Sequence, residues 1–315
     1  MKKIVDAIAT REIEKELRED RLLRKTNNGN NEVYIFTSHE SPVLMHEVGR
    51  LRELTFRGAG GGTGEEIDLD EYDMSEKSPH QQLIVWDPEN RDIIGGYRYF
   101  IHDNRKKKVD PSDMASYDYF HFSDDFTENY LPHLMELGRS FVQPDYQSRA
   151  KGRKSMYALD NLWDGLGAII IENPNVKYLF GKVTMYPHFH KHARRMIIYF
   201  MKKHFSDPDK LVVPKEDISM DIDNELMESI FTADNYRDDY KKLSQEVRKL
   251  GETVPPLINA YMNLSPTMRT FGTIHNESFG QVNETGIMIT VKDIYVEKIN
   301  RHLASYRADY DISDQ

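Results

Sequence analysis

One segment constrains this chain more than any other: the run Leu134–Val142, the turn-rich stretch 143–154 behind it, and the periodic stretch Ser155–Glu172. The first part has the apolar content and length of a β-strand, yet it carries Glu136 and Arg139 three residues apart. Strict alternation sends such a pair to opposite faces. Gly138, between them, permits a β-bulge that re-aims both side chains and leaves main-chain amides unpaired. The loop Gln147-Ser148-Arg149-Ala150-Lys151-Gly152 then runs into a helix. A strand–loop–helix turn of that kind offers an anion free amides and a helix dipole, here with the cations Arg149, Lys151, Arg153 and Lys154 around it. A surface loop with solvated charges accounts for the same residues, and both readings stand at this point.

The rest of the chain supplies the context for that unit. Ile4 to Lys25 reads as a polar N-terminal helix with Ile13, Leu17 and Leu22 on a sparse stripe, broken by Asn27–Asn31. A short strand (Val33–Ser38) and a helix (Pro42–Phe56) follow, then a glycine-dense loop, Gly58–Gly64, and an acidic stretch ending in Asp70-Glu71-Tyr72-Asp73. Strands Gln82–Trp86 and Ile93–Phe100 flank the turn Asp87-Pro88-Glu89-Asn90. The polar span His102–Asn129 reads as a long excursion. Later come the strand Tyr178–Thr184, the helix His188–His204, a charged helical insert near Glu225–Leu250, a short helix opened by Pro255-Pro256, and strands Arg269–His275 and Gly286–Thr290. The pattern predicts a mixed α/β (α+β) sheet in a single elaborated domain with helical insertions. Its parts are an N-terminal helix at 1–32, a core at 33–205, an insertion at 206–250, closing elements at 251–303 and a tail at 304–315.

Composition removes several function classes. The 315 residues include no cysteine, which excludes a disulfide framework, a thiolate nucleophile and a Cys-based zinc site. A formal charge of −10 opposes nucleic-acid binding, which needs a basic face. The N-terminus starts with two lysines but becomes densely charged without an apolar run, so it does not read as a secretory segment. No stretch has the roughly 20 successive apolar residues of a bilayer-spanning helix. A cytoplasmic protein is the expectation.

The unit at 134–172, with its loop at Gln147–Gly152, resembles the acyl-donor motif of the GNAT superfamily, a Gln/Arg-x-x-Gly-x-Gly/Ala loop between strand and helix. This chain has Ala150 where that pattern has glycine, and Arg149-x-x-Gly152 is an alternative register. Leu51-Arg52 with Phe56, Asp70-x-x-Asp73, Gly96-Tyr97-Arg98 and Glu136-x-x-Arg139 resemble the signature of acyl-homoserine-lactone synthases. The segment ELGRSFVQPDY and the later Val254-Pro-Pro-Leu-Ile-Asn-Ala-Tyr and Met268-Arg-Thr-Phe-Gly resemble still more closely the bacterial aminolipid N-acyltransferases of glycine and ornithine lipids. The likeness spans about residues 33–303 and is weakest at 102–130 and 206–250. A lactone synthase fits less well, because it needs S-adenosylmethionine and lacks the extended C-terminal portion.

The resemblance implies transfer of an acyl group, a 3-hydroxy fatty acid, from phosphopantetheine to the α-amine of an amino acid, glycine preferred over ornithine. The carrier implied is acyl carrier protein, or else coenzyme A, with no tightly bound cofactor. Glu136 is then the candidate base, or a buried ion-pair partner of Arg139. The amides of Phe141 or Val142 would polarise the thioester carbonyl, and Gln147, Arg149, Ala150, Lys151, Gly152 and Arg153 would hold the donor arm. Arg52, Asp70, Asp73 and Arg98 suit a buried network or acceptor contacts, with Phe56 as a pocket wall. Arg149, Lys151, Arg153 and Lys154, with Arg105–Lys108, form a basic rim suited to an acidic carrier protein. A long-chain product also implies transient contact with the inner membrane surface. The other readings are an acetyl-coenzyme A-dependent N-acetyltransferase and a non-catalytic acyl- or carrier-binding module.

Three further features remain. The Gly58–Gly64 loop lacks a P-loop ending and reads as a mobile lid. His188 and His192 would share a helix face, but no glutamate completes a zinc pattern, so no metal is expected. His80, just before a strand, is the reserve candidate for a general base.

Overall fold

The computed structural model describes residues 1–102, 109–147, 153–216, 218 and 221–306, the side chains of 153 and 154 excepted. Its centre is an eight-stranded sheet in the order β1-β2-β3-β4-β6-β7-β10-β9. These strands are β1 (Leu22–Lys25), β2 (Glu32–Phe36), β3 (Gln81–Asp87), β4 (Asp92–Ile101), β6 (Leu134–Val142), β7 (Tyr178–Met185), β9 (Arg269–Asn276) and β10 (Val282–Thr290). Every neighbouring pair is antiparallel except β6 and β7 in the middle, which are parallel. A parallel pair needs a crossover, and α4 (Arg153–Glu172) supplies it.

Alternation along the strands sorts the core into two faces. Val33, Leu83 and Val85 face α4, together with residues of α5 (Lys191–His204), α7 (Tyr236–Lys249) and α8 (Pro256–Met262). Tyr34, Phe36, Ile84 and Trp86 face α2 (Pro42–Gly58). Beyond α2, on the C-terminal half of the sheet, an aromatic cluster around Phe120, Phe126, Phe180 and Phe271 covers the surface. It draws on the excursion after β4. The remaining helices are short: α1 (Thr10–Glu14), α3 (Pro144–Gln147), α6 (Asn224–Ile230) and α9 (Val296–His302).

The strands and long helices expected from the sequence are present with small shifts at their ends, and three expectations need correction. Ile4–Lys25 is not one helix. Only α1 is α-helical, with a single 3-10 turn at Glu19–Arg21; Leu22–Lys25 pairs with β2 across the Asn27–Asn31 turn, and the Lys2 and Val5 N–H groups bond to the Gly64 and Glu66 carbonyls. A sparse apolar stripe cannot hold a long helix against the cross-strand pairing that burial of Tyr34 and Val33 rewards. The second concerns the excursion His102–Asn129, expected without a strand, and the stretch 206–250, expected as helical: each contributes a short strand. β5 (Phe120–Phe122) from the first pairs with β8 (Val212–Pro214) from the second in a small sheet of their own. The third is the start of α5, which begins at Lys191 with His190 as its cap, so His188 precedes the helix and shares no helical face with His192.

Candidate active site

The ladder between β6 and β7 stops early. Four pairs form, from Leu134↔Tyr178 to Leu137↔Gly181, although both strands continue. A cavity of about 870 Å³ occupies the region beyond, lined by Gly138–Val142 on one strand and Gly181–Thr184 on the other. The same place on β6 carries the expected bulge. Gly96 and Arg98 of β4 pair with Phe141 and Gly138, so Arg139 and Ser140 together oppose Tyr97. The left-handed residue is Arg139 (φ 48°), not Gly138. A bulky residue held there needs surroundings that fix it.

What fixes it is a ladder of alternating charge. Arg52 binds Asp73 at 3.0 Å, and Asp73 binds Arg98 at 3.2 Å. Arg98 binds Asp70 at 2.6 Å, and Arg139 reaches Asp70 at 3.4 Å and Asp68 at 2.9 Å. The guanidinium of Arg139 lies 4.7 Å above the Phe279 ring, which meets Phe56 edge-on at 5.1 Å. Three arginines and three aspartates balance. The inner end, Arg52 and Asp73, is fully buried and further tied by Gln82, while Asp70 and Arg139 keep 27% and 20% exposure toward the cavity. The flanking arginines Arg98 and Arg139 hold the Asp70 carboxyl well below the usual carboxylate range. Burial pushes Asp68 the other way, despite Arg139.

Glu136 and His80 both hold one turn. The two carboxylate oxygens of Glu136 accept the backbone N–H groups of Ala115 and Ser116, each at 2.9 Å. His80 Nε2 donates to the Asp113 carbonyl at 2.9 Å. The turn therefore sits against the sheet and presents Ser116 to the cavity. Among the described residues no ion pair joins Glu136 to Arg139, the alternative to its role as base, because Asp68 and Asp70 occupy Arg139.

Farther in, the cavity turns apolar. Ala158 and Leu159 of α4 face Pro255, Pro256, Leu257 and Ile258 at the start of α8. Two phenols interrupt this lining: Tyr97 and Tyr261, both buried, with hydroxyls 3.5 Å apart. The hydroxyls of Thr55, Ser116 and Ser155, all residues of the cavity wall, are buried with no hydrogen-bond partner. Native interiors rarely leave such groups idle, so a bound ligand is the natural partner.

The Gly58–Gly64 loop is fastened rather than free. Glu53, fully buried, accepts the N–H groups of Thr63 and Gly64, each at 2.9 Å, and the Thr63 hydroxyl at 2.8 Å. Gly61 lies against Gly280, where a Cβ would sit 2.6 Å from the Gly61 Cα. The lid expected from glycine content is thus a fixed wall.

A glycine N(alpha)-acyltransferase of Phocaeicola vulgatus is 50% identical over 311 residues, covering 97% of this chain and 94% of that protein. A glycine N(alpha)-acyltransferase of Bacteroides thetaiotaomicron is 51% identical over 307 residues, covering 97% of this chain and 91% of that one. This chain belongs to the glycine N-acyltransferase family. The acetyltransferase (GNAT) domain matches residues 51–154, which run from α2 through the bulged strand to the first residues of α4. A solved structure of the CoA-dependent acyl-homoserine lactone synthase BjaI, with SAM and isopentyl-CoA, is 15% identical and covers 51% of this chain and 71% of its own, at a TM-score of 0.30. That overlap carries no inference. The protein is an acyltransferase, on the GNAT fold.

Within that family setting, Phe56, Asp70, Arg98, Glu136, Arg139, Phe141, Val142 and Gln147 all line the one cavity, with Arg52 and Asp73 directly behind. Gln143 donates its N–H to the Ile94 carbonyl, so alternation turns Phe141 toward β4 and Val142 toward the gap. Gln147 Nε2 binds the Val142 carbonyl at 2.6 Å from that side. Arg149, Ala150, Lys151 and Gly152 lie outside the described residues, as do Arg105–Lys108 and the side chains of Arg153 and Lys154. Sequence reading gave no site role to Asp68, Phe279, Tyr97 or Tyr261, although Tyr97 and Tyr261 stand within the motifs Gly96-Tyr97-Arg98 and Val254–Tyr261 that carry the resemblance. Asp68 had a signal, since carboxylates two apart in an extended stretch share a face; Phe279 had none.

Proposed function

We propose that this acyltransferase joins a 3-hydroxy fatty acyl group, delivered as a phosphopantetheine thioester on acyl carrier protein, to the α-amine of glycine, with ornithine as a poorer acceptor. One observation carries the reading: a single cavity runs through the gap between β6 and β7, charged at one end and apolar at the other. A pantetheine arm fits the gap, where the Val142 amide can polarise the thioester carbonyl and stabilise the oxyanion that forms. The acyl chain lies between α4 and α8, where the Tyr97 and Tyr261 hydroxyls suit a hydroxyl on the chain. At the charged end Arg139 receives the acceptor's carboxylate and Asp70 its ammonium, while Arg52 and Asp73 keep that pair in place.

Glu136 acts here by positioning. With both oxygens held by backbone amides, its part is to seat the Ala115–Ser116 turn. The basic residues Arg149, Lys151, Arg153 and Lys154 are the proposed docking rim for the acidic carrier. The product is an N-acylglycine, a precursor of aminolipids released at a membrane surface; among the described residues no helix is long and apolar enough to cross a membrane. The direct test supplies the protein with 3-hydroxyacyl carrier protein, the matching acyl-coenzyme A or acetyl-coenzyme A, and either glycine or ornithine, with mass spectrometry of the products. Formation of N-(3-hydroxyacyl)glycine mainly from the carrier donor supports the reading. Turnover of acetyl-coenzyme A with indifference to carrier protein overturns it.

A further inference from the structure

We propose that His80 is the group that takes the proton from the attacking amine. The inference rests on the amide-forming reading above and adds the base that reading leaves unassigned. His80 lines the cavity yet is 2% exposed, at the edge of β3 beside Arg98, Glu136 and Asp73. Its Nε2 points at the Asp113 carbonyl, which can only accept, so Nε2 carries the hydrogen and Nδ1 keeps the lone pair. Neighbouring rings hold its orientation. Phe100 stacks on it at 4.6 Å and 17°, and the Tyr72 ring lies tilted against it at 5.2 Å.

Several of the cavity's other titratable groups are already committed. Both oxygens of Glu136 accept backbone N–H groups. Asp70 is held by Arg98 and Arg139, and Glu284 by Lys182 and Asn276. Burial pushes the Tyr97 and Tyr261 phenols up, which makes them donors rather than bases near neutrality. Burial, with the charge of Arg98, holds the His80 imidazolium below its ordinary range, while Glu136, the Asp113 carbonyl and Asp73 pull weakly the other way. The ring is therefore neutral at pH 7.

The step balances without another reactant. The bound ammonium first releases one proton to solvent; as the resulting neutral amine attacks the thioester carbon and the C–N bond forms, a second N–H proton passes to Nδ1. The tetrahedral adduct then collapses, the C–S bond breaks, and the imidazolium returns that proton to the sulfur. Amide and free thiol result, and His80 is neutral again.

The variant His80→Gln keeps an N–H that can reach the Asp113 carbonyl but has no base. Its turnover should fall about 10²- to 10⁴-fold, with KM for the acyl donor nearly unchanged. The parent's log(kcat/KM) should steepen as pH falls below the ordinary histidine value, and the variant's should not. Turnover within tenfold of the parent, or the same acid limb in both, overturns the assignment. Should the variant fail to fold, the parent decides: ¹⁵N-histidine spectra showing the Nε2-protonated form together with that acid limb support it, and either one missing overturns it. A parent that forms no N-acylglycine sinks the amide reading instead.

Discussion

Glu136 and Ser116 lie 20 positions apart in sequence, and the carboxylate of one accepts the backbone N–H of the other at 2.9 Å. Together with the neighbouring bond to Ala115, this fastens the turn of a long excursion to the central strand of the sheet. The substitution Glu136→Gln turns one acceptor oxygen into an NH₂ facing an N–H. We expect a loss of about 1–3 kcal/mol in urea unfolding, together with a higher KM for the acceptor. Unchanged stability with lost turnover would instead restore Glu136 as the base.

The charge ladder should respond unequally along its length. Asp73→Asn strips buried Arg52 and Arg98 of a shared counter-charge and should cost about 3–5 kcal/mol. Asp70→Asn leaves Arg98 on Asp73 and Arg139 on Asp68, so its stability loss should be clearly smaller while acceptor KM rises. Chemical denaturation and acceptor kinetics of the two variants check the order.

Acid should act through the same residues. Asp70 and Asp73 titrate lower in the fold than their ordinary 3.8, so their stabilisation is complete above that value and disappears as pH falls through their lowered folded values. Unfolding free energy should therefore decline below about pH 4, and the decline should be shallower in Asp73→Asn. Parallel acid titrations of parent and variant decide it.

Tyr261→Phe removes one of the two hydroxyls in the apolar branch without changing its shape. The preference for a 3-hydroxyacyl donor over the unsubstituted acyl donor should fall by about threefold to tenfold, since one hydrogen bond contributes roughly 0.5–1.5 kcal/mol. Competition between the two donors measures it. An unchanged ratio would place the chain's hydroxyl elsewhere.

Gly280 occupies the left-handed region at φ 78°, and its missing side chain leaves room for Gly61. Gly280→Ala should lower Tm and loosen the wall built from Gly58–Gly64, visible as faster hydrogen exchange at Thr63 and Gly64.

Much of this molecule was legible before any coordinates. Leu134–Val142 has the composition of a strand, its irregular Glu136–Arg139 spacing announces a bulge, and the later alternation of strand and helix fixes a mixed sheet. Arg52, Asp70, Asp73 and Arg98 are two guanidiniums and two carboxylates from separate segments, a set that suits a buried network. Other things were illegible for stated reasons. Nothing local tells that Arg139, rather than Gly138, takes the left-handed conformation, because the choice is made by Asp68, Asp70 and Phe279. Nor does local composition show that Leu22–Lys25 is a strand, since its partner lies across a turn. The glycine loop looked mobile because glycine permits motion, whereas Glu53 decides otherwise from inside α2.

The small sheet of β5 and β8 has a consequence for how this enzyme can be altered. The excursion that carries the Ala115–Ser116 turn is paired with a strand contributed from beyond α5, so the two pieces depend on each other. Trimming either alone orphans the other's edge, and grafting acceptor specificity from a relative means moving both pieces at once.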